Sequence, residues 1–202
     1  MSTLVNRKVL VALSTVVVMS LLVVGCGSSQ KVTNTPVATV APVTPVSIEM
    51  SATEKTRFIG YALLLSGGSF QTSAVIDSNK ATVLYGTFDE AKKVHPESKA
   101  TVADYNLYWS TGDAISKTLF EGPVRLLREF PELSSVAMKI PFEGKTYSVD
   151  IDRATAEKYF NVNLTEMHKD ATNELWRQQI VTPYTSSKDQ RAKYAAQFIK
   201  IS

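Results

Sequence analysis

The chain has a single cysteine, Cys26, and only two histidines, His95 and His168, in 202 residues. One thiol excludes an internal disulfide and any zinc site built on paired cysteines. Neither histidine stands in an H-E-x-x-H spacing, so the usual helical metal motif is missing. G-x-S-x-G is absent, and Gly67-Gly68 lacks the Lys-Ser/Thr pair and the preceding strand of a phosphate loop. No block or stripe of Lys and Arg occurs, which argues against a nucleic-acid partner. No cofactor, no metal and no catalytic residue are therefore expected.

What is present begins with the first 26 residues. Arg7 and Lys8 precede an uncharged run from Val9 to Cys26. A positive segment followed by an apolar one is the layout of an export signal. The apolar run to Val24 is 16 residues long, short of the roughly 20 that a helix needs to cross a bilayer. It ends in Leu22-Val23-Val24-Gly25-Cys26, which resembles the lipobox of bacterial lipoproteins. The resemblance covers residues 1–26 only. It implies a diacylglycerol thioether on Cys26, with acyl chains such as palmitate, and cleavage between Gly25 and Cys26. Two acyl chains meet the requirement for stable anchoring, which one chain does not. Lipid on Cys26 would also explain how an exported chain carries one unpaired thiol. The expected location is extracytoplasmic, held at the bacterial cell membrane, or at the outer membrane in a double-membraned cell.

Once residues 1–25 are removed, the formal charge of +3 falls to +1, because Arg7 and Lys8 leave and no acid precedes Cys26. Membrane attachment would then come from lipid rather than from charge. Residues 26–50 read as the lipidated Cys and a Thr/Val/Pro-rich tether. Val32 to Ile48 carries no charge and contains Pro36, Pro42 and Pro45, a composition that favours extended backbone at about 3.1 Å per residue, or at most roughly 75 Å of reach. Residues 51–202 are then one domain, long enough to bury a sizeable core.

Within that domain, capping signals and apolar periodicity predict the elements. Ser51 with Glu54 opens a helix over 52–66, stopped by Gly67-Gly68. Phe70–Ile76 and Ala81–Thr87 form a hairpin around Ser78-Asn79, pairing Ala74 with Val83 and Thr72 with Tyr85. Thr87 with Glu90 caps a short helix that ends at His95-Pro96. Thr101 with Asp104 opens a long helix that Pro123 should kink or divide and Pro131 closes. Val136, Met138, Ile140 and Phe142 alternate with smaller or polar residues, as do Tyr147, Val149 and Ile151 after Glu143-Gly144. A two-residue loop opposes Met138 to Val149 and puts every large apolar side chain on one face, whereas a one-residue slip would bury Thr146, Ser148 and Asp150. Asp152 caps a helix over 153–160, Asn163 opens one to about Val181, and Ser187 opens a last one carrying Tyr194 and Phe198. The predicted class is α+β: a four-stranded antiparallel sheet from two hairpins, with helices on one face and two additional C-terminal helices.

Few residues point to chemistry. His95 and His168 read as edge or solvated histidines. Asp150 and Asp152 could share a cation at a strand end, but Asp152 reads first as a helix cap. Tyr105, Tyr108 and Trp109 crowd one helix just before Gly112-Asp113 and are candidates for a groove that takes a ligand or partner, with packing in the core as the alternative. The leading functional reading is a non-catalytic binding or interaction module whose partner is an envelope protein, polymer or small ligand. The runner-up is an envelope hydrolase whose site the sequence hides. The chain is short for a two-lobed solute-binding protein.

Overall fold

Both hairpins form where their turn residues and alternation place them. The computed structural model describes residues 50–202; Gly25, Cys26 and the tether lie outside the described residues. Strands β1 (Gln71–Asp77) and β2 (Lys80–Tyr85) pair antiparallel around Ser78 and Asn79, both at positive φ. Strands β3 (Ser135–Phe142) and β4 (Lys145–Asp152) pair in the expected register, Ile140 with Tyr147, Met138 with Val149 and Val136 with Ile151. Glu143 and Gly144 both take positive φ, as a two-residue primed turn requires. In the first hairpin Ala74 faces Val83 as expected, but Gln71, not Thr72, faces Tyr85. Thr72 is the extra residue of a bulge, which turns the Gln71 side chain inward; its amide donates to the Ala62 carbonyl at 2.6 Å.

The four-stranded antiparallel sheet is corrected in two respects. The sheet is mixed and has five strands in the order β1-β2-β3-β4-β5, with β2 and β3 parallel. Parallel neighbours need a long crossover, and the three helices between β2 and β3 supply it. The fifth strand, β5 (Lys200–Ile201), adds antiparallel to Tyr147–Ser148 of β4.

One face of the sheet is apolar. Ile76, Ala81, Val136 and Ile151 form one cross-strand row, and Ala74, Val83, Met138 and Val149 the next. Helices cover these rows. Helix α1 (Ala52–Ala62) is capped by Ser51 and is shorter than expected, because Leu63 to Phe70 continue as tight turns through Gly67 at φ +73°. Helix α2 (Phe88–Val94) has the complete Thr87–Glu90 capping box. The predicted long helix is two. Helix α3 (Val102–Ser110) ends before Gly112 at φ +62°, and α4 (Ala114–Glu129) begins after it.

Pro123 does not divide α4. It lacks the N–H that would bond the Leu119 carbonyl, and the Tyr194 hydroxyl approaches that carbonyl instead, at 3.5 Å. Ten of the sixteen residues of α4 are buried, which makes it the centre of the domain. Its C-terminal carbonyls are held by two arginines. Arg57 of α1 donates to the Glu129 carbonyl and pairs with its carboxylate. Arg153 donates to the carbonyls of Leu127, Phe130 and Leu133 at 2.6–3.0 Å.

The C-terminal part holds more than two additional helices. Asp152 caps α5 (Arg153–Phe160), and Asn163 caps α6 (Leu164–Lys169). The helix expected to run to Val181 breaks at Asp170. The Asp170 carboxylate accepts bonds from the amides of Thr172 and Leu175, a local turn that competes with helical bonding. A short α7 (Glu174–Trp176) then widens into a π-helical stretch, Arg177–Thr185, that contains Pro183. Ser187 caps α8 (Lys188–Phe198), which packs Tyr194 on Phe120 and Phe160.

Candidate functional site

The aromatic cluster at α3 splits into a buried part and a surface part. Tyr105 and Trp109 are 6% and 2% exposed. They are four residues apart and so share a helical face, packed edge-on with Phe70, Tyr85 and Phe88. The Tyr105 hydroxyl donates to the Pro141 carbonyl at 2.8 Å and ties α3 to the end of β3. Burial pushes its pKa up, with Glu90 adding to the effect. These two residues act as core, and the indole N–H of Trp109 finds no hydrogen-bond partner among the described residues.

Tyr108 is different. It is 36% exposed and lines a groove of about 590 Å³ with Ser66, Leu107, Thr111, Ala114 and Thr118. Trp109 backs its ring at 4.8 Å, and Phe70 at 5.8 Å. The groove lies between α3, α4 and the turn after α1, with Asp104 and Lys117 also on its walls. Leu107 is 67% exposed, and Leu64, two residues from Ser66, is 79% exposed. Leu107 thus leaves apolar surface open to solvent at the rim of a mainly apolar groove.

The turn between α3 and α4 is fixed from a distance. Arg191 of α8 donates through Nε to Asp113 at 2.6 Å, and its Nη1 bonds the Thr185 carbonyl. The bond from Arg191 is the main cause holding the Asp113 carboxyl below its usual pKa, with the guanidinium charge also contributing. Asp113 stays ionised through the neutral range and pins the start of α4.

The remaining candidates do not converge. His95 Nε2 donates to the Gln71 carbonyl at 2.9 Å, and His168 is exposed on α6. Asp150 and Asp152 share the open face of the sheet. Both Asp152 oxygens are occupied by the Thr155 amide and hydroxyl, which hold that carboxyl below its ordinary range. Among the described residues, no group of three or more His, Cys, Asp or Glu is placed to hold a metal ion, and no helix is long and apolar enough to cross a membrane.

The sequence did not signal the second concavity of interest, on the open sheet face. A groove of about 550 Å³ lies between α2 and the strands, lined among others by Thr72, Leu84, Lys93, Lys139, Pro141 and Thr146. Comparison with known proteins returns no matching family, no matching curated sequence and no matching solved structure.

Proposed function

We propose that the chain is a lipid-anchored envelope lipoprotein whose domain is a non-catalytic binding module, using the α3–α4 groove to hold an apolar segment of a partner. The observation that carries the binding half is the groove itself: an apolar floor, a partly exposed Tyr108 on a rigid aromatic base, and Leu107 left open at its rim. Tyr supplies contact area at little entropic cost because its ring is already positioned. The anchoring half rests on the lipobox resemblance at Leu22–Cys26.

Two measurements test the two halves separately. The fragment 50–202 should bind an environment-sensitive apolar dye. Leu107→Asp and Tyr108→Asp should each weaken binding by about tenfold or more, the scale of one buried apolar side chain. Val75→Asp, on the open sheet face, should leave it unchanged. Equal binding by all four proteins would remove the groove from the proposal. For the anchor, Cys26→Ala should abolish labelling by radioactive palmitate and leave an unprocessed precursor. Labelling that persists in that variant would refute lipidation at Cys26.

A further inference from the structure

Strand β1 ends the sheet, and its outer edge is open. The Ser78-Asn79 turn, with both residues at positive φ, closes on the pair Asp77–Lys80. A two-residue turn of this kind closes on a hydrogen-bonded pair. Bonding then alternates along β1, so Ser73, Val75 and Asp77 turn their amides and carbonyls toward β2. Ala74 and Ile76 turn theirs outward. Across the bulge Gln71 also points outward, and its carbonyl is taken by His95 Nε2 at 2.9 Å. Among the described residues, no such partner meets Ala74 or Ile76. Edge strands are usually blunted by charge or proline, but β1 has no proline and one charge, Asp77 at its end.

The helix above this strand is unfinished on the same side. Helix α1 packs on β1, and α4 packs on β3. Phe58 and Ala62 are buried beneath α1. On one flank of α1, Tyr61 packs on Phe130 at 5.8 Å and Arg57 pairs with Glu129, so that flank faces α4. Ile59 and Leu63 lie on the opposite flank, which begins about 100° around the helix from Phe58. That flank points past the edge of the sheet. Ile59 is 48% exposed and Leu63 43%, and Val75, on the open face of β1, is 52% exposed. Open backbone groups and uncovered apolar side chains thus coincide at one border of the domain.

We infer that this edge pairs antiparallel with the same edge of a second copy of the chain, about a twofold axis at Val75. The border is complementary to itself. With the axis at Val75, Ala74 of each copy opposes Ile76 of the other, and the outward amides and carbonyls bond in both directions. Val75 meets Val75 across the axis and loses its exposure. Asp77 opposes Ser73, so the two carboxylates stay apart. Neighbouring registers are worse. An axis at Asp77 would set the two carboxylates opposite each other, and an axis at Ser73 would run into the Thr72 bulge and the occupied Gln71 carbonyl. The outer flanks of the two α1 helices then lie side by side over the seam, with Ile59 and Leu63 covered together. A contact of this size is at the small end of specific interfaces, so pairing depends on protein concentration. It is separate from the α3–α4 groove and does not depend on the anchor.

The test uses the full-length Cys26→Ala chain in a non-ionic detergent, where an introduced cysteine is the only thiol. In the proposed register two Val75→Cys side chains oppose each other with Cα atoms about 4.5 Å apart, within disulfide reach. Two Asp77→Cys side chains are offset by four residues, about 14 Å, which is beyond it. Mild oxidation should link most of the Val75→Cys protein into dimers on a non-reducing gel, and Asp77→Cys roughly tenfold less. Ala74→Pro removes an outward amide and leaves the ladder to β2 intact, so it should cut linking of Val75→Cys by about tenfold. Ile59→Asp, at an exposed position on α1, should act in the same direction without touching the strand. Circular dichroism of each variant checks that the fold is kept. No dimer in Val75→Cys would overturn the pairing. So would equal linking at positions 75 and 77, which would mean chance collision. A Val75→Cys link that both Ala74→Pro and Ile59→Asp leave unchanged would overturn it as well.

Discussion

Replacing Arg153 by alanine should lower the stability of the domain by about 3 kcal/mol, the loss of several charge-assisted hydrogen bonds. For a domain of this size that is a drop in Tm of roughly 10 °C. Arg153 stands at the start of α5, where its amide bonds the Ser134 carbonyl, and its side chain serves the carbonyls of Leu127, Phe130 and Leu133. The last carbonyls of a helix have no partner within it, and those of α4 end among Phe130 and Leu133, which are fully buried. Removing the guanidinium leaves buried acceptors that water does not reach easily. Burial also pushes the Arg153 pKa down, the signature of a charge taken out of solvent. Arg153→Lys should recover only part of the loss, since one ammonium cannot reach three carbonyls in the planar fork that arginine offers. Urea denaturation of the three proteins measures this. A loss under about 1 kcal/mol for the alanine variant would mean that water replaces the guanidinium.

Gly68→Ala should be as damaging for a steric reason. A Cβ at that position would stand 1.9 Å from the Leu63 carbonyl oxygen and 2.8 Å from its carbon. Both are backbone atoms, so no side-chain rotation relieves the contact and the turn itself must shift. A cost of about 3 kcal/mol is expected, at the upper end of overpacking penalties. Gly60→Ala makes the control. It lies within α1 with nothing inside 4 Å of the added carbon, and it should raise stability by roughly 0.5–1 kcal/mol through helix propensity. Opposite signs for two glycines eight positions apart would locate the strain in the turn. Ser66 of that turn is a wall of the α3–α4 groove, so Gly68→Ala should also reduce dye binding there. Thermal stability of Gly68→Ala equal to that of the parent protein would contradict the close approach.

The parts of the fold readable from the sequence are those fixed by neighbours. The Thr87–Glu90 and Thr101–Asp104 boxes formed because both partners lie within one helical turn. The β3–β4 register followed because only one pairing keeps Ser148 and Asp150 out of the core. The parallel contact of β2 with β3 carries no such local mark, since each hairpin is complete in itself. Two residues, Lys200 and Ile201, are too few to show alternation, so β5 leaves no mark in the sequence. At the candidate site, the sequence shows the three aromatics but not their division into buried and exposed. Positions 105 and 109 share a helical face while 108 lies about 100° away, a distinction that composition alone does not draw. The Arg191–Asp113 pair joins residues from distant parts of the chain, and only the folded backbone brings them together.

The parallel junction also has a consequence for the route by which the chain reaches this fold. The β3–β4 hairpin closes across two residues, but β2 and β3 can meet only after the whole segment of about 50 residues between them has been gathered in. Hairpins form in microseconds on their own, whereas this late closure is rewarded only when α3 and α4 already lie against the strands. The buried α4 therefore does for assembly what a turn does for a hairpin: it shortens the search that joins the two halves.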